Sequence, residues 1–114
     1  MTVGGRWKKR TAVQTAKAML SGELGIIEGS VRLAALSHEI VPVWHEDRDF
    51  LVFGVLASDT DHLPTGSARQ YWNPAALARE DQNIARIEAG AKADVIAACK
   101  NIIARFETNE EETE

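Results

Sequence analysis

The residues whose types and spacing can support chemistry are polar side chains in two otherwise apolar neighbourhoods. Glu28 and Arg32 stand four residues apart in a stretch with helical periodicity, so they share one face and can pair. Asp59, Asp61 and His62 offer carboxylate and imidazole ligands within four residues of chain. In a sheltered site the first pair would bind an anion or act as a base. The second group would hold a metal ion.

Structural roles compete with these chemical ones. The Glu28–Arg32 pair also serves to fix the register of a helix. Asp59 and Asp61 also form side-chain-to-backbone turns, and their stretch lacks the later glycine and glutamate of a calcium loop. Cys99 has no CxxC partner and stands in an apolar helical stripe, which indicates core packing. The sequence therefore predicts no metal and no cofactor, and it leaves open whether the protein is an enzyme.

Two long helices must position these residues. Apolar residues at steps of three and four predict a helix over residues 11–38, and a break at Gly22 stays open. Asn73 and Pro74 form a helix start, and an apolar stripe continues to about residue 106, with Gly90 as a second open break. Between the helices, residues 50–57 are aromatic and branched. They predict a strand-like insert, with a buried helical turn as the alternative.

The expected fold class is therefore mainly α. Two antiparallel helical segments of about 28 and 33 residues are joined by the strand-like insert and a polar loop over residues 58–67. Two helices of this length leave much apolar surface uncovered in a small monomer. We expect a homodimer to complete a helical bundle, and a further protein partner is compatible with this surface.

Charge is concentrated at the two ends of the 114-residue chain, whose net charge is −4. Residues 1–10 are basic and predict a flexible arm, and residues 107–114 are acidic and predict a disordered tail. They flank one helical domain over residues 11–106. Its mildly acidic composition does not favour nucleic-acid binding. A single cysteine and the absence of a long apolar run predict a cytoplasmic protein without a membrane span.

Two strings resemble the signatures of a bacterial family of small helical domains of unknown function. The first reads Met19-Leu20-x-Gly22-x-Leu24-x-x-Ile27-Glu28-Gly29-x-x-Arg32-Leu33. The second reads Ser58-Asp59-Thr60-Asp61-His62-Leu63-Pro64, followed by Arg69 and Trp72. The resemblance implies a helical domain, no known reaction, and a loop that folds back on the first helix. It also implies one polar cluster, formed by Glu28, Arg32, Asp59, Asp61, His62 and Arg69.

Two functions follow as hypotheses. The first is a non-enzymatic interaction or regulatory module that binds through a helical face or the polar loop. The alternative is a small-ligand- or metal-binding protein, or an enzyme, with a polar site formed by the first helix and the loop over residues 59–62. The lack of a recognisable catalytic motif in the sequence favours the first.

Overall fold

A computed structural model describes the backbone of residues 3–64 and 66–113, and the side chains of residues 7–43, 45–64 and 67–107. Within these ranges the chain forms four α-helices and no strand. Short 3-10 turns, Trp44–Glu46 and Gly66–Tyr71, lie in the connections before the third and fourth helices. The helices are α1 (Val3–Ser21), α2 (Ile26–Ile40), α3 (Arg48–Thr60) and α4 (Pro74–Thr113).

The four helices form an antiparallel ring around one core. Lys8 pairs with Glu39 near one end of α1, and Met19 packs on Gly29 near the other, so α1 and α2 run in opposite directions. Helix α3 packs on α2 and α4, and α4 also packs on α1. Because each helix has two neighbours in this ring, a single chain closes the core of a four-helix bundle. We expected a second copy to complete the bundle because the sequence predicted only two long helices. The described chain has four helices, so the bundle core needs no second copy.

The core is continuous across the bundle. Gly29 contributes to it by lacking a side chain, because a Cβ atom at this position would overlap the side chain of Met19. Apolar side chains from all four helices make up the rest. The residues that are at most 1% exposed include Ala12, Ala16, Leu33, Phe50, Phe53, Val95, Cys99 and Ile102.

The prediction of a strand-like insert over residues 50–57 is wrong, because these residues lie in helix α3. Their types favour a strand, but their burial follows a helical period. Phe50, Phe53 and Leu56 face the core, whereas Leu51 and Val55 are exposed. A strand would bury alternate residues instead. Burial of one helical face against α2 and α4 therefore outweighs the β propensity of the individual residues.

The sequence left open whether the long helices break at Gly22 and at Gly90, and the structure differs between the two positions. Gly22 has φ of +87°, in the left-handed region that favours glycine, and it ends α1 directly after Ser21. The break at Gly22 is therefore present, and residues 11–38 form parts of two helices. Gly90 lies inside α4, which is continuous from Pro74 to Thr113. A Cβ at position 90 would meet no neighbouring atom, so the site tolerates glycine without depending on it.

Both charged ends are helical where the structure describes them. Helix α1 begins at Val3, so it includes residues 3–10, and the flexibility expected of the basic arm stays a prediction. Helix α4 extends to Thr113, so it includes the acidic residues 107–113, and the disorder expected of the tail stays a prediction. Residues 1, 2 and 114 lie outside the described residues. In the described part of the chain, no helix combines the length and apolarity that crossing a bilayer requires.

Candidate functional site

Glu28 and Arg32 form the ion pair that their spacing predicts, on the outer face of α2. Arg32 Nη2 donates to Glu28 Oε1 at 3.1 Å, and both side chains are more than half exposed. A salt bridge in this setting contributes little to stability, about 0–1 kcal/mol. The two residues are therefore available to a partner on the surface of the protein.

Asp59, Asp61 and His62 lie at the carboxyl end of α3. Asp59 belongs to its last turn and Asp61 is its C-cap, so this part of the expected loop is helical. His62 Nδ1 is 3.9 Å from Asp61 Oδ1, and both side chains are largely exposed. Among the residues that the structure describes, no three His, Cys, Asp or Glu side chains are grouped to hold a metal ion.

Arg69 has a structural role that the sequence did not indicate. Its guanidinium donates to both carboxylate oxygens of Asp81, at 2.6 and 3.0 Å, and to the carbonyl oxygen of Pro64 at 3.1 Å. These bonds hold the pKa of Asp81 below its ordinary value. They fasten the connection between α3 and α4 to the first turns of α4. The observed contacts of the six candidates are the pairs Glu28–Arg32 and Asp61–His62 and the bonds of Arg69, and a single cluster of all six stays a prediction.

The acidic end of α3 yields a test of its own. Asp59 and Asp61 place negative charge at a helix carboxyl terminus, where the helix dipole favours positive charge. We expect Asp59→Lys to raise the melting temperature by about 1–4 °C in a thermal unfolding scan. The matched control is Glu80→Lys, beyond the first turn of α4, which changes net charge equally without touching a helix end or the surface between α3 and α4. Equal shifts in both variants would contradict the dipole argument.

The most completely built polar network joins the start of α3 to α4. Arg105 donates to both oxygens of Asp47, at 2.7 and 3.0 Å, and to Asp49 at 3.0 Å. Asn101 donates to the other oxygen of Asp49 at 3.1 Å. Asp47 also caps α3 by accepting the amide N–H of Asp49 at 3.1 Å. Both aspartate side chains are about 15% exposed and the Arg105 side chain is 38% exposed, so the carboxylates are shielded from water more than the groups that bind them.

This network was missed in the sequence because its halves are more than 50 residues apart. A local signal existed. Asp47 stands three residues before the apolar run that begins at Phe50, a position typical of an N-cap aspartate, and Asn101 and Arg105 are one helical turn apart. Hydrogen bonding by Arg105, together with its charge, holds the pKa of Asp47 below its ordinary value against the opposing effect of burial. These hydrogen bonds fix the start of α3 against α4 and therefore determine how the two helices border the surface between them.

A shallow groove of about 480 Å³ runs between α3 and α4, and we call it the α3–α4 groove. Apolar side chains line its centre: Leu51 and Val55 are 40% and 50% exposed. Charged and polar side chains occupy its ends. The full lining is Arg48, Asp49, Leu51, Val52, Val55, Asp94, Ala97, Ala98 and Asn101.

A more enclosed cleft of about 380 Å³ lies where the turn between α1 and α2 meets α4, and we call it the turn cleft. Cys99 is buried in its wall, and its thiol contacts Met19 Sδ at 3.9 Å. Burial raises the pKa of Cys99 to about 11, so the thiol is protonated at neutral pH. The lining is Met19, Leu20, Ser21, Gly22, Leu24, Gly25, Ile26, Glu88, Lys92, Val95, Ile96 and Cys99.

Comparison with known proteins gives one match. The model of the DUF2489 family, described as "Protein of unknown function", matches residues 12–102. This region includes α2 and α3 completely, about half of α1, and most of α4. No curated protein and no solved structure matches the chain.

Proposed function

Because the chain belongs to the DUF2489 family, whose function is unknown, we propose a function from its surface: a non-enzymatic protein-interaction module that works as a homodimer. The α3–α4 groove is the proposed contact, and its occupant is the same groove of a second copy. The observation that carries the proposal is the exposed apolar centre of this groove, flanked by opposite charges. The resemblance of its sequence to a bacterial family adds the expectation of a bacterial protein, and its composition adds the expectation that the module acts in the cytoplasm.

The centre of the groove has the properties of a contact surface. Leu51 and Val55 are one turn apart on α3, and they expose large apolar side chains that the bundle does not use. Ala97 on α4 faces the groove with a small side chain, so a neighbouring helix can approach closely there. Burial of such side chains stabilises an interface by about 25 cal/mol per Å² of apolar surface removed from water.

The charges at the ends of the groove favour a second copy as the occupant. Arg48 lies at the end where Asn101 lines the groove, and Asp94 lies about two helical turns away along α4. A two-fold axis through the centre of the groove would bring each Arg48 next to the partner copy's Asp94. A two-fold interface requires a surface that is complementary to itself, and this arrangement of charges meets the requirement.

Charge reversal tests this arrangement. We expect Arg48→Glu to weaken dimerisation at least about tenfold, because two attractive contacts become repulsive. Combining it with Asp94→Arg should restore dimerisation to within about threefold of the wild type, since the reversed charges again face each other. The measurement is the dimer dissociation constant from sedimentation equilibrium.

The matched control is Arg79→Glu, an exposed position on α4 that does not line the groove but changes net charge by the same amount. We expect its dissociation constant to stay at the wild-type value. If Arg79→Glu weakened dimerisation as much as Arg48→Glu, net charge would be the cause. Failure of the double reversal to restore dimerisation would contradict the two-fold pairing.

A further inference from the structure

We propose that the turn cleft is a binding site for a free α-amino acid with an apolar side chain, of the size of leucine or methionine. This proposal does not rest on the proposed function. The turn cleft and the α3–α4 groove share no lining residue, and they lie on different sides of α4. Each of the two proposals can therefore fail without the other.

The inner part of the turn cleft suits an apolar side chain. It is formed by Met19 of α1, Leu24 of the turn, Ile26 of α2 and Val95 of α4, among others. Its volume of about 380 Å³ lies in the range of small-molecule sites, which are concave and mostly apolar with a few polar groups. Met19 forms part of the wall, and a methionine side chain adapts to the shape of a ligand.

The rim of the turn cleft carries two opposite charges. Glu88 and Lys92 stand one helical turn apart on α4, and both line the opening. An amino acid bound with its side chain inward would direct its ammonium group to Glu88 and its carboxylate to Lys92. Each contact is a charge-assisted hydrogen bond, the stronger kind in proteins. A fatty acid would satisfy Lys92 but would place its carboxylate near the carboxylate of Glu88.

The turn that borders the cleft carries two glycines. Gly22 and Gly25 line the cleft, and a Cβ added at either position would meet no atom within 4 Å. Gly22 has φ of +87°, which favours glycine, so the shape of the turn at this side of the cleft depends on that residue.

Isothermal titration calorimetry and thermal shift with L-leucine test the proposal on the full chain. We expect L-leucine to bind the wild type and to raise its melting temperature at concentrations up to about 10 mM. Leucinamide lacks the carboxylate, N-acetyl-leucine lacks the ammonium charge, and glycine lacks the side chain. Each should bind at least about tenfold more weakly than L-leucine.

Variants of the rim locate the site. Lys92→Ala and Glu88→Ala remove charges at the surface of α4, and each should weaken L-leucine binding at least about tenfold without lowering helix content. Lys100→Ala is the matched control, because Lys100 is exposed on the same helix and does not line the turn cleft. It should bind L-leucine as the wild type does.

Three results would overturn the proposal. The first is absence of binding to L-leucine, L-isoleucine, L-methionine and L-phenylalanine alike. The second is binding of N-acetyl-leucine or glycine with the affinity of L-leucine, which would show that the zwitterion or the side chain is not recognised. The third is unchanged binding in both Lys92→Ala and Glu88→Ala. Sedimentation of the same samples measures the oligomeric state, so a change in amino-acid binding can be distinguished from a change in dimerisation.

Discussion

Replacing Phe53 with alanine is expected to lower the free energy of unfolding by about 3–5 kcal/mol. Phe53 is completely buried in the core, and the smaller side chain would leave a cavity that the packed helices fill only partly. The corresponding fall in melting temperature is about 15 °C or more for a domain of this size. Urea unfolding followed by circular dichroism measures the loss directly.

The same experiment tests the helical assignment of residues 50–57. In helix α3, Phe50 and Phe53 both face the core, and Phe50 lies 6.1 Å from the ring centre of Phe106. Phe50→Ala should therefore lower the free energy of unfolding about as much as Phe53→Ala does. Val55→Ala should lower it by less than about 1 kcal/mol when the protein is dilute enough to be monomeric. In a strand, Phe53 and Val55 would share a face. An equal loss of unfolding free energy in Phe53→Ala and Val55→Ala would contradict the helical assignment.

Replacing Arg105 with methionine is expected to lower the free energy of unfolding by about 2 kcal/mol at pH 7, a figure already reduced for partial exposure of the guanidinium. The variant keeps an unbranched apolar side chain but removes the guanidinium, which lies 4.8 Å from the ring centre of Phe106 and bonds to Asp47 and Asp49. Two shielded carboxylates would then lie close together without compensation. Denaturant unfolding of both proteins at one pH gives the difference.

The dependence on pH identifies the cause of that loss. Arg105 holds the pKa of Asp47 below its ordinary value of 3.8, so the pair stabilises the wild type above that pH. The stabilisation is lost as pH falls from about 4 through the lowered pKa. In Arg105→Met, burial without a cation should raise the pKa of Asp47. Protonation would then stabilise the variant as pH falls, and the two unfolding curves should converge at acid pH.

A control variant separates charge from packing. Adding Asp47→Asn and Asp49→Asn to Arg105→Met removes the uncompensated charges, and asparagine still caps a helix. This triple variant should be more stable at pH 7 than Arg105→Met alone. If the difference in free energy of unfolding between the wild type and Arg105→Met stayed constant from pH 7 to pH 3, the electrostatic explanation would be contradicted. Lost packing would then be the remaining cause.

Helix α3 shows why residue types misled the sequence-based prediction for residues 50–57. Branched and aromatic side chains favour strands because they pack well on a half-buried sheet. The same side chains fill a helical core equally well when their buried members are three or four apart, as Phe50, Phe53 and Leu56 are. Composition indicated a strand, and periodicity indicated the helix that forms.

The first predicted helix shows what periodicity does establish. Its apolar spacing predicted helical structure on both sides of Gly22, and both sides are helical. The same spacing continues through the break, because α1 and α2 each turn an apolar face to one core. Periodicity therefore did not reveal the turn at Gly22. The positive φ there follows from the chain reversal that α2 needs to pack on α1.

The candidate polar residues show the limit of local spacing. It predicted correctly that Glu28 and Arg32 pair, since a four-residue step places them on one helix face. It did not show that this face points outward, because orientation depends on how α2 packs on its neighbours. The bonds of Arg69 to Asp81 and of Arg105 to Asp47 join segments that no local pattern relates.

Sedimentation equilibrium of the wild type beside Val55→Glu and Val31→Glu tests the central claim most directly. Val55 and Val31 are exposed to similar extents, 50% and 44%, but only Val55 lines the α3–α4 groove. We predict twice the chain mass of 12.5 kDa for the wild type and Val31→Glu, and a single chain mass for Val55→Glu. A single chain mass for the wild type at all concentrations, or equal dissociation of the two variants, would contradict the account.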